Sequence, residues 1–485
     1  MILNLHDIVQ QSAQVFSSRV ALKYKNESIT YFDLWQRIQA VAANFSLHGL
    51  SRQERIAVYL PKQVETVTCL FGSSLAGAVF VPINPGLKSA QVQHILKDCN
   101  VRILVTSQDR LSTLLDDLAH CPDLRTVLLV DAVQAPSQHG HLHIAAFTAT
   151  TSAAATTAAT DTAAATSAAA IDTTTASAAS APALNRIAVT DADMAAILYT
   201  SGSTGKPKGV VLSHRNMIVG AYSVSSYLQN DQHDVLLALL PLSFDYGLSQ
   251  LTTAFLHGAA VVLLDFFLVQ DVVKAIAQHQ VTGLAAVPPL WAQLAKAKWP
   301  DGAAASVRYI TNSGGAMPDA LLTQLEQIFA NAKPYLMYGL TEAFRSTYLP
   351  PEHLARKRGS MGKAIPNAEI LVVREDGSLC GPNEPGELVH RGPLVSLGYW
   401  NAPEKTAERF KADPVLPSGV QHQPLAVWSG DTVKYDEEGF LYFIGRRDEM
   451  IKTSGHRVSP TEVEEAVYAL RSEEHTSELQ SRHNL

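Results

Sequence analysis

The 485 residues predict an α/β fold with parallel-rich sheets and more than one core. Three observations carry this. Segments of helical apolar spacing alternate with short β-rich runs from the N-terminus onward. Nearly half of the residues are apolar, so a large interior can be buried. The length exceeds what a single simple core holds.

The elements follow in order. Phe32–Leu47 has helical spacing, and Arg55–Leu60 is a short β-rich run. Glu65–Ala76 reads as a helix, and Ala78–Ile83 as a strand stopped by Asn84-Pro85. Ala90–Cys99 is a helix and Val101–Thr106 a strand. The stretch 148–183 is almost wholly Ala, Thr and Ser, and its only charges are Asp161 and Asp172. It can bury no useful core, and it reads as a flexible surface insertion or, less well given its threonines, an Ala-rich helix. Met194–Thr200 is a strand running into a Gly/Ser/Thr-rich loop, and a helix starts at Ser213, a fitting N-cap. Beyond Gly386 short strands and turns take over, ending in Phe440–Ile444 and the boundary Gly445-Arg446-Arg447-Asp448.

Composition excludes several classes. The net charge is −7 and the basic residues are scattered, which disfavours a nucleic-acid surface or a membrane-binding basic helix. Cys69, Cys99, Cys121 and Cys380 are far apart, with no zinc or disulfide spacing. The start lacks a basic n-region, so no signal peptide is expected. The most apolar stretch, Ala259–Val269, is short and contains Asp265, so it reads as a buried strand with its neighbours rather than a membrane span. No stable membrane insertion and a cytoplasmic location are expected.

Chemistry enters at Thr200-Ser201-Gly202-Ser203-Thr204-Gly205-Lys206-Pro207-Lys208-Gly209. Glycines let backbone N–H groups approach phosphate oxygens, and hydroxyls and lysines add donors and positive charge. The spacing is not that of a Walker A loop, since only Ser203 and Thr204 separate Gly202 from Gly205. It is not GxSxG either, because Ser201 stands where Gly is required. A glycine-rich loop alone could equally be an ordinary polar turn.

The complete string resembles the phosphate-binding signature of the AMP-binding (adenylate-forming) superfamily, which includes acyl-CoA synthetases, luciferases and peptide-synthetase adenylation domains. The resemblance runs from about Ile29 to Leu470, apart from the low-complexity insertion, with further motifs in the family's order. Asn312-Ser313-Gly314-Gly315-Ala316 resembles the adenine-pocket loop, although in isolation it reads as a simple turn. Tyr338-Gly339-Leu340-Thr341-Glu342-Ala343 resembles the segment that closes around AMP. The resemblance implies that Tyr338 stacks on adenine, Thr341 bonds the α-phosphate, and Glu342, with Thr204, holds Mg²⁺. A carboxylate beside a triphosphate needs a cation between them. Trp428-Ser429-Gly430-Asp431 puts Asp431 where the family binds both ribose hydroxyls, a role a carboxylate fills well. Gly445-Arg446-Arg447-Asp448 matches GRxD: Arg446 is expected to reach the nucleotide, and Asp448 to be the hinge of a small C-terminal domain. Lys452–Glu462 matches the next motif, which in the family helps to form the thiol channel. His214 reads as a structural histidine, because the substrate carboxylate needs no base.

The implied fold is a large multi-layer N-terminal domain (1–447) with a small β-barrel-like subdomain, followed by a truncated α+β C-terminal domain (448–470). The implied reaction is ATP-dependent activation of a small-molecule carboxylic acid as acyl-AMP. Transfer to the thiol of CoA, or of phosphopantetheine on an acyl carrier protein, would follow. Thr204, Lys208, Thr341 and Glu342 are the catalytic candidates.

Pro241–Leu248 falls where the family places the wall of the acyl pocket, so the resemblance implies Phe244, Asp245 and Tyr246 as substrate residues. Amino-acid-activating members often carry Phe-Asp there, the Asp pairing with an ammonium. Asp245 could equally cap a helix or pair with a protein cation. Val287-Pro288-Pro289-Leu290-Trp291 lines or supports the pocket. The strings LPLSFDYGLSQLTTAF, AVPPLW, TNSGGAMP and YGLTEAFRSTYLPPE resemble those of AMP-forming acyl-CoA ligases associated with exosortase A systems. Amino-acid adenylation with carrier loading and a non-catalytic nucleotide-binding remnant are the competing readings, and the failed Walker A spacing disfavours a kinase or ATPase.

Nothing after Leu470 matches the family's C-terminal lysine motif, and Arg471–Leu485 resembles translated sequencing-adapter DNA and reads as a foreign tail. The chain as written is therefore expected to bind ATP poorly and adenylate very slowly. Near-normal turnover by this chain in a steady-state assay would contradict that expectation.

Overall fold

The computed structural model describes residues 2–131, 136–147, 188–200, 207–417, 419 and 424–446, together with the backbone course alone of 451–453 and 456–458. The insertion 148–183, Asp448 and the tail 471–485 lie outside the described residues. The chain forms two compact units, Met1–Ala195 and Ala196–Leu485. The division falls inside the strand Met194–Thr200 and had no counterpart in the sequence reading, which took 1–447 as one domain.

The first unit is built on parallel strands. Val79–Pro82, Arg55–Val58, Val101–Thr106, Thr126–Leu129 and Leu142–Ala146 lie side by side in that order, all parallel. The first four are buried almost without a break, as expected of strands covered on both faces, and Leu142–Ala146 is only partly buried. The helix Tyr31–Leu47 is started by Thr30, whose hydroxyl accepts from the Asp33 N–H at 3.1 Å. It buries Tyr31, Leu34, Ile38, Val41, Ala42 and Phe45, one stripe at helical spacing. The helix Val64–Leu75 packs so closely on it that a Cβ at Gly72 would stand 2.7 Å from Cγ1 of Val41.

In the second unit five parallel strands run in the order Lys333–Tyr338, Tyr309–Asn312, Gly283–Ala286, Val235–Ala238 and Ala260–Leu263. Thr347–Leu349 and Lys363–Ala364 extend one edge antiparallel. The expected buried stretch Ala259–Val269 is a strand only over Ala260–Leu263. Phe267 beyond it is fully exposed, so apolar composition overstated burial there.

The late β-rich segment is an antiparallel sheet whose spine is the long strand Leu425–Tyr435. Gly386–Arg391 pairs along one side of it, with Glu369–Val373 outside. Phe410–Ala412 and Leu441–Arg446 pair along the other side. Phe440–Ile444 is shifted in the structure to Leu441–Arg446, and Phe443 and Ile444 are exposed edge residues. Ile451–Thr453 and His456–Val458 form an antiparallel pair.

His390, on Gly386–Arg391, is fully buried, and its Nδ1 shares a 2.9 Å hydrogen bond with the Ser346 hydroxyl. Burial alone pushes its pKa down to about 3, so the folded ring is neutral. Below the unfolded value of about 6.5 the unfolded chain gains a proton that the fold refuses. Stability present above that pH is therefore lost as pH falls toward 3, at up to about 1.4 kcal/mol per pH unit. His390→Gln, followed by melting curves between those limits, should flatten the acid slope relative to wild type.

Candidate active site

The strand order in the second unit reverses at Val235–Ala238, whose chain neighbour Ala260–Leu263 lies on one side and Gly283–Ala286 on the other. In open α/β sheets the crevice outside the carboxyl ends of the strands at such a point is where ligands bind. Three chain segments leave those ends. Residues 239–244 lead into the helix Asp245–Leu256, 313–316 follow Tyr309–Asn312, and 339–345 follow Lys333–Tyr338.

The last of these is the most constrained. The Ser346 N–H donates to the Tyr338 carbonyl at 3.1 Å and ties the ends of the loop together. Inside it Thr341–Ala343 forms a single 3₁₀ turn. The Arg345 N–H then donates to the Ala343 carbonyl at 2.6 Å across Phe344, which has φ +54 and ψ −53. This is the rare, strained form of γ-turn, here at a bulky residue. Its ring is held against Gly220, where a Cβ would lie 2.3 Å away. The turn drives Arg345 inward, to 1% exposure. There its Nη1 donates to Ser313 Oγ at 3.2 Å, and its Cζ lies 4.6 Å from the centroid of the Tyr246 ring.

Glu342, in the same turn, is buried, and its Oε1 accepts from the Tyr399 hydroxyl at 2.7 Å. The Tyr399 ring in turn faces Lys208 Nζ at 4.6 Å. Backbone pairing explains the meeting. Residues 397–400 run antiparallel to Lys208–Ser213, with Leu397 N to Val211 O at 2.8 Å and Trp400 N to Gly209 O at 2.8 Å. The following helix, His214–Leu228, opens on the expected N-cap: the Asn216 N–H donates to Ser213 Oγ at 3.1 Å. The Asn216 amide donates to the carbonyls of Pro393 and Val395 at 2.7 and 2.8 Å, which anchors the loop that carries Tyr399. His214 is fully buried at the first helical position, as expected of a structural residue.

Asp431 lies on the spine strand with no exposure at all. Antiparallel register sets Arg446 directly across from it, and Arg446 Nε stands 2.7 Å from Oδ1, at ion-pair distance. Oδ2 accepts from the Tyr338 hydroxyl. The local turn is held by the Gly430 N–H donating to Glu387 Oε1 at 2.9 Å and the Asp431 N–H donating to Ser429 Oγ at 3.1 Å.

Asp245 is the first residue of its helix, after Phe244 at the N-cap position. It is partly solvent-accessible yet densely surrounded. Desolvation pushes its carboxyl above the usual range, against the pull of the Arg345 guanidinium and of the Tyr246 N–H. Neither local role foreseen for it is met: Phe244 holds the N-cap position with no side-chain cap bond, and the nearby Arg345 is felt electrostatically without an ion pair. Tyr246 is buried, its hydroxyl on Thr311 at 2.8 Å to the carbonyl and 2.7 Å to Oγ1. Trp291 is fully buried with its Nε1 on the Ala286 carbonyl at 3.1 Å, so it supports the strand exit rather than lining a pocket.

Of the sequence candidates, the structure joins Lys208 to Glu342 through Tyr399, and Tyr338 to Arg446 through Asp431. Gly314, Gly315, Gly339, Thr341 and Phe244 are partly exposed, and Ala316 is exposed. Thr200 ends its strand. Ser201, Gly202, Ser203, Thr204, Gly205, Lys206 and Asp448 lie outside the described residues. Sequence reasoning missed Tyr399 and Arg345. Arg345 stands two residues beyond a motif already singled out, but only the turn at Phe344 reveals that it points inward.

Among the described residues no group of three or more His, Cys, Asp or Glu side chains could hold a metal. A lone carboxylate such as Glu342 fits Mg²⁺ bound mainly by phosphates and water, and does not fit an all-protein cage. Among the described residues no helix is long and apolar enough to cross a membrane.

The family model described as AMP-binding enzyme matches residues 9–400, and the chain belongs to that family. It is 30% identical over 451 residues to the L-proline--[L-prolyl-carrier protein] ligase of Streptomyces coelicolor, covering 91% of this chain and 77% of that one. It is 27% identical over 474 residues to the long-chain-fatty-acid--CoA ligase of Bacillus subtilis, covering 96% and 80%. It also matches a linear gramicidin synthase of Brevibacillus parabrevis at 27% identity, but spans only 5% of that much longer protein. Among solved structures, VinN in complex with L-aspartate is 26% identical with a TM-score of 0.70, covering 92% of this chain and all of VinN.

Gly220→Ala should disturb this centre without touching any candidate ligand group. The added methyl meets the Phe344 ring and should cost about 1–3 kcal/mol in denaturant unfolding, with a loss of nucleotide binding as the turn shifts.

Proposed function

We propose that this chain is an AMP-forming acid–thiol ligase. The observation that carries the proposal is the convergence of Tyr338, Arg446 and a fully buried Asp431, from three separate stretches of sequence. A buried carboxylate at the end of a strand pair suits the two hydroxyls of a ribose. Glycines 314 and 315 offer open backbone for a flat base, and Lys208 supplies positive charge for the phosphates.

In the first half-reaction a carboxylate oxygen of the substrate attacks the α-phosphorus of ATP, and the bond to pyrophosphate breaks. Repulsion between anions dominates that barrier, so fixed charges and donors are the main catalytic means. Lys208 and Thr341 would steady the phosphates, and Glu342, oriented by Tyr399, would hold Mg²⁺ with Thr204 as its second protein partner. The metal would neutralise phosphate charge. In the second half-reaction a thiolate sulfur attacks the acyl carbon and AMP leaves. CoA or a carrier-bound phosphopantetheine is the acceptor, with Asp448 as the hinge between the domains 1–447 and 448–470. A cytoplasmic site of action and kinship with the exosortase A-associated ligases are part of this reading.

Activation of an amino acid for a carrier protein is favoured by one observation: the Asp245 carboxyl stands at the sheet exit where the acid would lie. The prolyl-carrier ligase and the aspartate-bound VinN are relatives that support it.

ATP–pyrophosphate exchange tests the reading. Exchange should depend on an added carboxylic acid, and full turnover with a thiol should release AMP, never ADP. Lys208→Ala should slow it about a hundredfold or more, and Asp431→Asn should raise the KM for ATP about tenfold or more. Acid-independent ADP release would overturn the proposal.

Asp245 gives a second prediction. With its folded pKa raised, the ionised carboxylate is disfavoured in the fold, and the penalty grows as pH climbs through the folded value. Asp245→Asn should therefore raise the melting temperature at neutral pH, with the gain vanishing below the ordinary carboxylate range. If an ammonium is the true partner, the same variant should lose exchange with amino acids while keeping it with plain acids.

A further inference from the structure

Arg345 holds more hydrogen-bonding capacity than its surroundings use. Its guanidinium is 1% exposed, and Nη1 alone is satisfied, by Ser313. Nε and Nη2 have no hydrogen-bond partner. Tyr246 covers one face of the group with its ring, which offers no acceptor in the guanidinium plane. Asp245 feels the charge, yet among the described residues no carboxylate lies within the 4.0 Å of an ion pair with Arg345.

Buried donors in folded proteins are nearly always paired, and an unpaired buried cation is among the costliest groups a fold can carry. This one is also held in place by a strained turn at Phe344, and such strain persists only where the surroundings enforce it, most often at functional sites. Packing alone would be served better by a methionine. The two open donors are adjacent nitrogens of one planar fork, the geometry that matches a carboxylate or another oxyanion. They sit among Tyr246, Asp245 and Ser313, the residues that follow the strand ends at the sheet's reversal, where the acid would lie.

We propose that Arg345 is a specificity-determining residue whose open donors take a second anionic group of the substrate, so that the acid activated carries an oxyanion besides the carboxylate that reacts. This rests on the reading that the site activates a carboxylic acid. Asp245 and Arg345 then form a pair of opposite charges kept apart, and an amino dicarboxylic acid satisfies both. A simple dicarboxylic acid satisfies Arg345 alone. A monocarboxylic acid with an apolar tail leaves both unpaired, which such sites reject strongly.

The test is ATP–pyrophosphate exchange by the full chain with two matched pairs: succinate against butyrate, and aspartate against 2-aminobutyrate. Ratios of kcat/KM are read, so a low absolute rate does not matter. The charged member of each pair should win by about tenfold or more. Arg345→Met should abolish or reverse that preference, and Arg345→Lys should restore part of it. Equal or better exchange with butyrate and 2-aminobutyrate overturns the proposal. So does an equal loss for all four acids in Arg345→Met with an unchanged melting curve, which would put Arg345 on the reacting carboxylate. Exchange with plain long-chain acids only would sink the second anion and leave the ligase reading standing. If no acid supports exchange, the ligase reading fails. Thermal shifts then decide the anion subsite: stabilisation by succinate but not butyrate, lost in Arg345→Met, upholds it, and no such difference ends it.

Discussion

A single strained turn, centred on Phe344, organises the candidate site. It reverses the chain within one residue, and four things follow from that reversal. Glu342 is left on one flank, where Tyr399 reaches it. Arg345 is thrown inward on the other, onto Tyr246 and Ser313. Ser346 arrives where its N–H closes the loop on Tyr338 and its hydroxyl meets His390. Phe344 itself is trapped against the bare backbone of Gly220, so the helix that follows the glycine-rich loop braces the turn. The conformation is costly locally and is offset by the packing around it.

Much of this was legible in the sequence, for a physical reason. Parallel strands buried on both faces are continuous apolar runs, and Val101–Thr106 was found at its observed bounds, as was the strand Met194–Thr200. Ser213 announced its helix because capping is a local hydrogen bond. The family membership was legible because its motifs are strings, and strings survive in one dimension. What failed depends on the third dimension. Nothing local marks Tyr399, whose role comes from pairing with a strand nearly two hundred positions earlier. Arg345 looked like any arginine after a motif, and only the sign of one φ angle turns it inward. Apolar composition does not tell a strand from the loop behind it, so the stretch 259–269 did not show that its strand stops at Leu263 and leaves Phe267 exposed.

The charges of the second unit follow one logic. Asp431 and Arg446 neutralise each other across paired strands, with Tyr338 on the remaining oxygen. Asp245 and Arg345 are neighbours in field but not in contact. Charges in contact recover part of their desolvation cost, whereas charges held apart recover less of it. Stability given up at such points is the common mark of a site shaped for something other than itself.

The register between Leu425–Tyr435 and Leu441–Arg446 has an evolutionary consequence. Side chains alternate faces along a strand, so a slip of one residue would turn Asp431 or Arg446 to the opposite side of the sheet. The turn at 436–440 that joins the two strands is pinned by Asp436, which accepts from the N–H groups of Glu438 and Phe440. The ladder passes from Thr432–Gly445 to Val433–Phe443 with Ile444 as an extra residue, so a single-residue insertion or deletion in this turn keeps Asp431 across from Arg446 only if that bulge changes with it. Descendants of this chain can change the letters of that hairpin freely at its exposed positions, but its length and its bulge change only together.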